Sequence, residues 1–204
     1  MLWLFSDPAR LADPLAALRA LPRALPRGLL GVVLRQDREA TGGLAGRIAK
    51  GRAVAALCRA RGVALAVACD RNGGQGEDWR VAAALHAGLH LRGGRRPGTA
   101  PPWLVALTGS AHGVAELRRV RRWGAVAFLS PAFATASHPG RPGLGPCRWG
   151  KTARLGSANT RGGIRRGWVA ALGGVTAPRV RRLPGCRAAG AIGAWAIGTR
   201  TGGG

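Results

Sequence analysis

Residues 104–130 read LVALTGSAHGVAELRRVRRWGAVAFLS, and this stretch decides the fold. Leu104–Thr108 and Ala125–Ser130 are short apolar runs of strand length. Between them Val114, Leu117 and Val120 recur at helical spacing, with Arg118, Arg119, Arg121 and Arg122 at most other positions. The spacing predicts a helix over 114–123 whose apolar stripe packs on a sheet and whose guanidinium groups face water. Strand, helix and strand in that order form a βα unit of a parallel sheet.

The same alternation runs outward in both directions. Apolar runs at Leu2–Phe5, Leu29–Arg35, Val63–Cys69, Leu89–Arg92, Trp168–Leu172 and Gly190–Ile197 bring the strands to eight. Helical patterns fall at Leu11–Leu21, Leu44–Arg61, Trp79–Ala87, Val114–Trp123, near Arg148–Leu155 and at Pro178–Leu183. Eight such units fit an α/β chain folded as a single (β/α)8 TIM-type barrel better than a doubly wound sheet. The barrel is expected over 1–198, followed by a disordered Gly-rich tail at 199–204. Two stretches fit the alternation poorly and read as irregular insertions, RNGGQGE at 71–77 and GSANTRGGIRRG at 156–167.

Composition narrows the function classes. The chain has 204 residues, suited to one domain, and 47% hydrophobic with 20% charged residues is a globular balance. The 32 Lys+Arg against 8 Asp+Glu leave a net charge of +24, but only Lys50 and Lys151 are lysines. Arginine, glycine and alanine together are what a GC-rich coding sequence produces, so the total charge alone does not argue for a polyanion partner. An Arg-rich nucleic-acid-binding protein is the alternative of a different class. Three Phe, no Tyr and no run of aromatics for base stacking count against it. No apolar run approaches the ~18–20 residues of a membrane span, and MLWLFSDPAR lacks the basic start of a signal peptide. A cytoplasmic protein with no membrane partner is expected. Cys58, Cys69, Cys147 and Cys186 are scattered without a CxxC pair, as thiols in a reducing compartment are.

Two motifs invite over-reading. Residues 145–152, GPCRWGKT, satisfy G-x-x-x-x-G-K-[ST], but they follow a Pro/Gly loop where a phosphate-cradling P-loop needs a buried strand. His86 and His90 have a spacing of two ligands on one helix face, but Gly88 should end any helix between them.

The residues that matter in a barrel stand at the C-terminal ends of its strands. There the sequence places Arg35, Asp70, Ser110 and His112, Thr135 with Ser137 and His138, Gly173 with Gly174, and Ile197 with Gly198. Glycines after the last two strands expose backbone N–H groups, which suits a phosphorylated small ligand.

At these residues the chain resembles the thiamine phosphate synthases and their thiazole tautomerase relatives. Residues 108–146, TGSAHGVAELRRVRRWGAVAFLSPAFATASHPGRPGLGP, are similar to that family's G-x-S-x-H, helix, strand, G-P-x-F-x-T-x-[TS]-K-P-G pattern. ALGGVT at 171–176 is similar to its I-G-G-I-T, AAGAIGAWAIG at 188–198 to its A-G-A-D-G-V-A-V-I-S, and GLHLRGG at 88–94 to its G-V-H-L-G. The resemblance implies a TIM barrel of thiamine biosynthesis. That enzyme joins hydroxymethylpyrimidine diphosphate to thiazole phosphate and releases pyrophosphate, with Mg²⁺ and basic residues helping the diphosphate leave. It also implies roles by position. Arg35 would hold the diphosphate and Asp70 would be a Mg²⁺ ligand. Ser110 would lie near the reacting centre, and Thr135 and Ser137 would supply hydroxyls. Gly173, Gly174, Ile197 and Gly198 would hold the thiazole phosphate.

The chain departs from the pattern at several positions. Val33 replaces a Gln, Asp37 falls where a diphosphate-binding Lys is expected, and His138 takes the place of the catalytic Lys. Arg95 or Arg96 stands where the second Mg²⁺ carboxylate belongs. The tautomerase alternative needs no metal and would use His112 as its proton shuttle. A barrel that binds the phosphorylated ligand without turnover is the remaining alternative within the family.

Overall fold

A computed structural model describes residues 1–7, 14–21, 26, 28–36, 42–69, 77–123, 125–135, 140, 142–157 and 168–191. Eight parallel strands close a barrel in sequence order, as the alternation predicts. They are β1 (Leu2–Phe5), β2 (Leu30–Leu34), β3 (Ala64–Cys69), β4 (Gly88–Arg92), β5 (Ala106–Ala111), β6 (Val126–Leu129), β7 (Val169–Leu172) and β8 (Ala189–Ala191). Closure is made by β1 against β8, with Leu2 opposite Ala189 and Leu4 opposite Ala191. The helices among the described residues are α1 (Pro14–Ala20), α2 (Gly43–Arg61), α3 (Glu77–Ala84), α4 (Val114–Arg122), α5 (Gly145–Ser157) and α6 (Ala177–Arg181).

Alternation along each strand builds two cores. Trp3, Phe5, Val33, Ala66, Phe128 and Ala170 fill the barrel, while Leu4, Val32, Leu34, Val67, Leu89 and Leu91 pack outward under the helices. Large and small residues interlock inside. A Cβ on Gly31 would stand 2.5 Å from the Trp3 ring, and one on Gly190 would stand 2.6 Å from Phe5. These glycines admit the aromatic rings that plug the interior, where Phe5 and Phe128 meet edge to face at 4.9 Å.

Element boundaries shift from the sequence reading, most tellingly at β5 and α5. Strand β5 begins at Ala106 and runs on to Ala111, so Gly109 and Ser110 lie in the strand and not after it. Gly109 faces α4, and a Cβ there would stand 2.9 Å from Val120, so this glycine is required by strand-to-helix packing. Helix α5 is longer than the stretch 148–155 and takes in the whole GPCRWGKT motif as its opening turns, with Trp149 buried beneath it. The motif therefore forms no phosphate loop. Residues 156 and 157 of the second expected insertion end α5, and Glu77 of the first opens α3; the remainder of both, and the tail at 199–204, lie outside the described residues.

The arginines of α4 are not simply a solvated face. Arg121 is buried and donates to the Gly156 carbonyl at 3.2 Å, and Arg118 donates to the Leu155 carbonyl at 3.2 Å. Both satisfy carbonyls at the end of α5, where the helix itself supplies no partner. No helix among the described residues is long and apolar enough to cross a membrane.

Candidate functional site

The C-terminal ends of the strands form the mouth of the barrel. At β1 and β2, the Ser6 hydroxyl accepts the Arg35 N–H at 2.7 Å and donates to the Arg35 carbonyl at 3.0 Å. The Arg35 guanidinium lies 3.5 Å from the Asp7 carboxylate and is still about a third exposed, with 36% of its side chain accessible. Leu34 packs outward and Val33 inward, so Arg35 is on the inward register of β2.

Strand β4 carries His90 and Arg92 on that inward register, with Leu89 and Leu91 outside. The His90 ring is buried against Phe5, with centroids 5.4 Å apart, and its Nδ1 lies 2.8 Å from the Thr108 hydroxyl. Burial, reinforced by the Arg92 and Arg35 guanidiniums, pushes His90 down to about 3 from its ordinary 6.5. It is therefore a neutral imidazole across the whole physiological range. Above Thr108 on β5 is Ser110, half-buried and paired in register with Arg92.

His112 follows β5 directly. Its Nδ1 lies 3.0 Å from the Ser130 carbonyl, which can only accept, so Nδ1 carries a proton. The Ser130 hydroxyl is 3.3 Å from the same nitrogen. The His112 backbone N–H donates to the Glu116 carboxylate at 2.8 Å, which closes the entry into α4. Gly173 and Gly174 follow β7 with φ of 88° and 61°, the left-handed region that glycine enters at little cost. The chain after β6 lies against them. The Phe133 N–H donates to the Gly173 carbonyl at 3.0 Å, and a Cβ on Gly174 would stand 2.3 Å from the Ala134 oxygen. Thr135, half-buried, is the next residue along this chain.

Of the residues expected from sequence, Arg35, Ser110, His112, Thr135, Gly173 and Gly174 stand at this one end of the barrel. Asp70, Ser137, His138, Ile197 and Gly198 lie outside the described residues. Sequence reasoning missed Ser6, Asp7, Arg92, Thr108 and Ser130, and treated His90 only as a partner for His86. The two histidines in fact diverge: His86 is exposed beyond α3 with φ 51°, while His90 is inside the barrel. The available signal was the period of two along β4, which puts His90 and Arg92 on one face.

The Mg²⁺ ligand that the resemblance implies, Asp70, lies outside the described residues. Among the described acids, Asp7 is turned to Arg35, Asp78 to Arg47 at 2.7 Å, and Glu116 to Arg119 at 3.8 Å. No group of three His, Cys, Asp or Glu that could hold a metal ion occurs among the described residues. Arg96 is not in the mouth at all. It donates to the Leu104 and Pro101 carbonyls and stacks 5.5 Å from the Trp123 ring.

Fold and mouth together define a TIM-type (β/α)8 barrel with a basic, polar opening at its strand C-termini. No protein-family model matches the chain, and no curated protein matches it significantly.

Proposed function

We propose that the protein is a cytoplasmic, thiamine phosphate synthase-like transferase that joins hydroxymethylpyrimidine diphosphate to thiazole phosphate. The observation that carries this reading is the gathering of Arg35, Ser110, His112, Thr135, Gly173 and Gly174 at one barrel mouth. Those are the positions at which the chain resembles the synthases. In the reaction, the bond from the pyrimidine methylene to the diphosphate oxygen breaks, and pyrophosphate leaves with the electron pair. The thiazole nitrogen then donates its lone pair to the methylene, giving thiamine phosphate.

The residues present suit these tasks. Guanidinium groups at Arg35 and Arg92 oppose the charge that develops on the leaving group. Gly173 and Gly174 put left-handed backbone at the mouth, packed against the chain after β6, at the positions where the resemblance implies a thiazole phosphate. The floor under the mouth is Phe5, Phe128 and neutral His90, an apolar, water-poor surface for a flat heterocycle. The experiment is pyrophosphate release on mixing purified protein with both substrates. Release that needs both supports the reading; no release by folded protein sinks it.

One observation favours a second reading. The His112 ring is held through Nδ1–H to the Ser130 carbonyl, which turns Nε2 into the nitrogen a thiazole tautomerase-like isomerase would use. Such an enzyme would depend on His112, ignore chelators and release no pyrophosphate.

A further inference from the structure

We propose that the base of the barrel, the end opposite the mouth, docks on an anionic lipid surface. This surface is independent of the transferase reading and lies beyond it.

The strands start at the base and the helices run back down to it, so a residue just before a strand or at the end of a helix stands there. Every large hydrophobic side chain exposed among the described residues is in such a place. Leu2 opens β1, and Leu29, Val105 and Trp168 immediately precede β2, β5 and β7. Trp103 is two residues before Val105, Trp123 follows α4, and Leu155 is in the last turn of α5. The platform is a fixed one. The carbonyls of Leu29, Val105 and Trp168 accept from Leu2, Leu89 and Ala127 N–H groups at 2.8, 2.9 and 2.8 Å. Their side chains are nonetheless 41%, 59% and 50% exposed. Exposed apolar residues gathered at one end mark a contact surface, where scattered ones would not.

Charge is divided between the same two ends. The described acids, Asp7, Glu77, Asp78 and Glu116, follow a strand or open a helix, so all stand toward the mouth. Exposed Arg19, Arg59, Arg122 and Arg154 end α1, α2, α4 and α5, and Arg182 follows α6. Helix dipoles favour cations at those ends, which accounts for the arginines but not for three exposed indoles beside them.

These arginines come from helices all round the barrel, so a partner that meets them together is broad and flat. A nucleic acid would stack on the indoles but has no use for Leu2, Leu29 and Val105. A second copy would bring two arginine rings face to face with no described acid between them. An anionic bilayer uses every part: aliphatic side chains enter the acyl boundary, indoles sit at headgroup level, and guanidiniums meet lipid phosphates. A membrane surface is thus added to the partners expected from sequence. It needs no spanning helix, and none occurs among the described residues.

The test is flotation of the full chain with vesicles of phosphatidylcholine alone, or with roughly a third phosphatidylglycerol. The chain should float with the anionic vesicles, stay behind with the neutral ones, and be released by salt. Trp103→Ser with Trp168→Ser should weaken partition by about tenfold or more, and so should Arg122→Gln with Arg182→Gln. Arg80→Gln, an exposed arginine in the first turn of α3 at the mouth end, should stay within about twofold, which separates a built surface from the general attraction of a +24 protein. Retained thermal unfolding midpoints show that the variants fold. No flotation with anionic vesicles, equal flotation with neutral ones, an unchanged tryptophan variant, or an equal effect of Arg80→Gln overturns the proposal. The parent's comparison of the two vesicles decides even where a variant fails to fold. Without flotation, oligouridylate binding that the tryptophan variant loses would assign the base to nucleic acid. A concentration-dependent dimer lost in that variant would assign it to a second copy. Either result overturns the lipid surface. None of these readouts is pyrophosphate release, so the surface and the transferase reading fail separately.

Discussion

The Ser6 hydroxyl is bonded to both backbone polar groups of Arg35, accepting from the N–H at 2.7 Å and donating to the carbonyl at 3.0 Å. One side chain thus joins the ends of β1 and β2 and sets the point from which Arg35 enters the mouth. Ser6→Ala should lower stability by about 1–2 kcal/mol, since it leaves two backbone groups short of a partner in a half-buried place. Urea unfolding reads that loss. The same variant should bind pyrophosphate more weakly although no ligand contact has been removed.

His90 makes stability depend on pH in a definite direction. Its folded value of about 3 lies below the ordinary 6.5, so the unfolded chain takes up a proton that the folded barrel refuses. The imidazole costs nothing above pH 6.5, and stability falls as pH drops from there toward 3, by at most about 1.4 kcal/mol per unit. His90→Asn keeps a partner for Thr108 and lacks the titration. Its acid-unfolding curve should be flatter than the parent's through this window. Parallel curves would show that His90 is not held neutral.

Gly174 should tolerate no side chain. Gly174→Ala meets both a left-handed φ of 61° and the Ala134 oxygen at 2.3 Å. Gly28→Ala meets only the φ of 79°, with nothing within 4 Å. Thermal unfolding should show the Gly28 variant losing about 1 kcal/mol and the Gly174 variant more. Affinity for thiazole phosphate should fall in the Gly174 variant alone.

Arg47 and Asp78 form a buried pair, 2.7 Å apart, that ties the first turns of α2 and α3. The Gln36 amide donates to the Arg47 carbonyl at 2.9 Å, so the tie also reaches the chain next to Arg35. Asp78→Ala should cost about 3–5 kcal/mol because it leaves a buried guanidinium with only the longer contact to Glu77 at 3.8 Å, whereas Arg47→Met with Asp78→Leu should cost much less. A double-mutant cycle on denaturation midpoints measures the difference.

The barrel was legible because its signal is repeated. Eight apolar runs with helical patterns between most of them leave few architectures, and an error of two residues at any one boundary does not change the count. The site was legible where a residue type announces its position, as the glycines after β7 and the polar TGSAH stretch do. It was not legible where meaning depends on a neighbour in space. Ser6 gains its role from Arg35, 29 residues away, and Ser130 from His112, 18 residues away. Gly109 reads as a strand end in sequence and proves to be a contact with Val120. His90 was hidden by His86, whose spacing suggested a helix that the Leu85–Gly88 turn interrupts.

The transferase reading stands or falls on product stoichiometry. Protein mixed with hydroxymethylpyrimidine diphosphate and thiazole phosphate should form thiamine phosphate and pyrophosphate one for one, and Arg35→Gln should depress both together. Pyrophosphate without thiamine phosphate, or neither product from protein that is folded and binds thiazole phosphate, would contradict it.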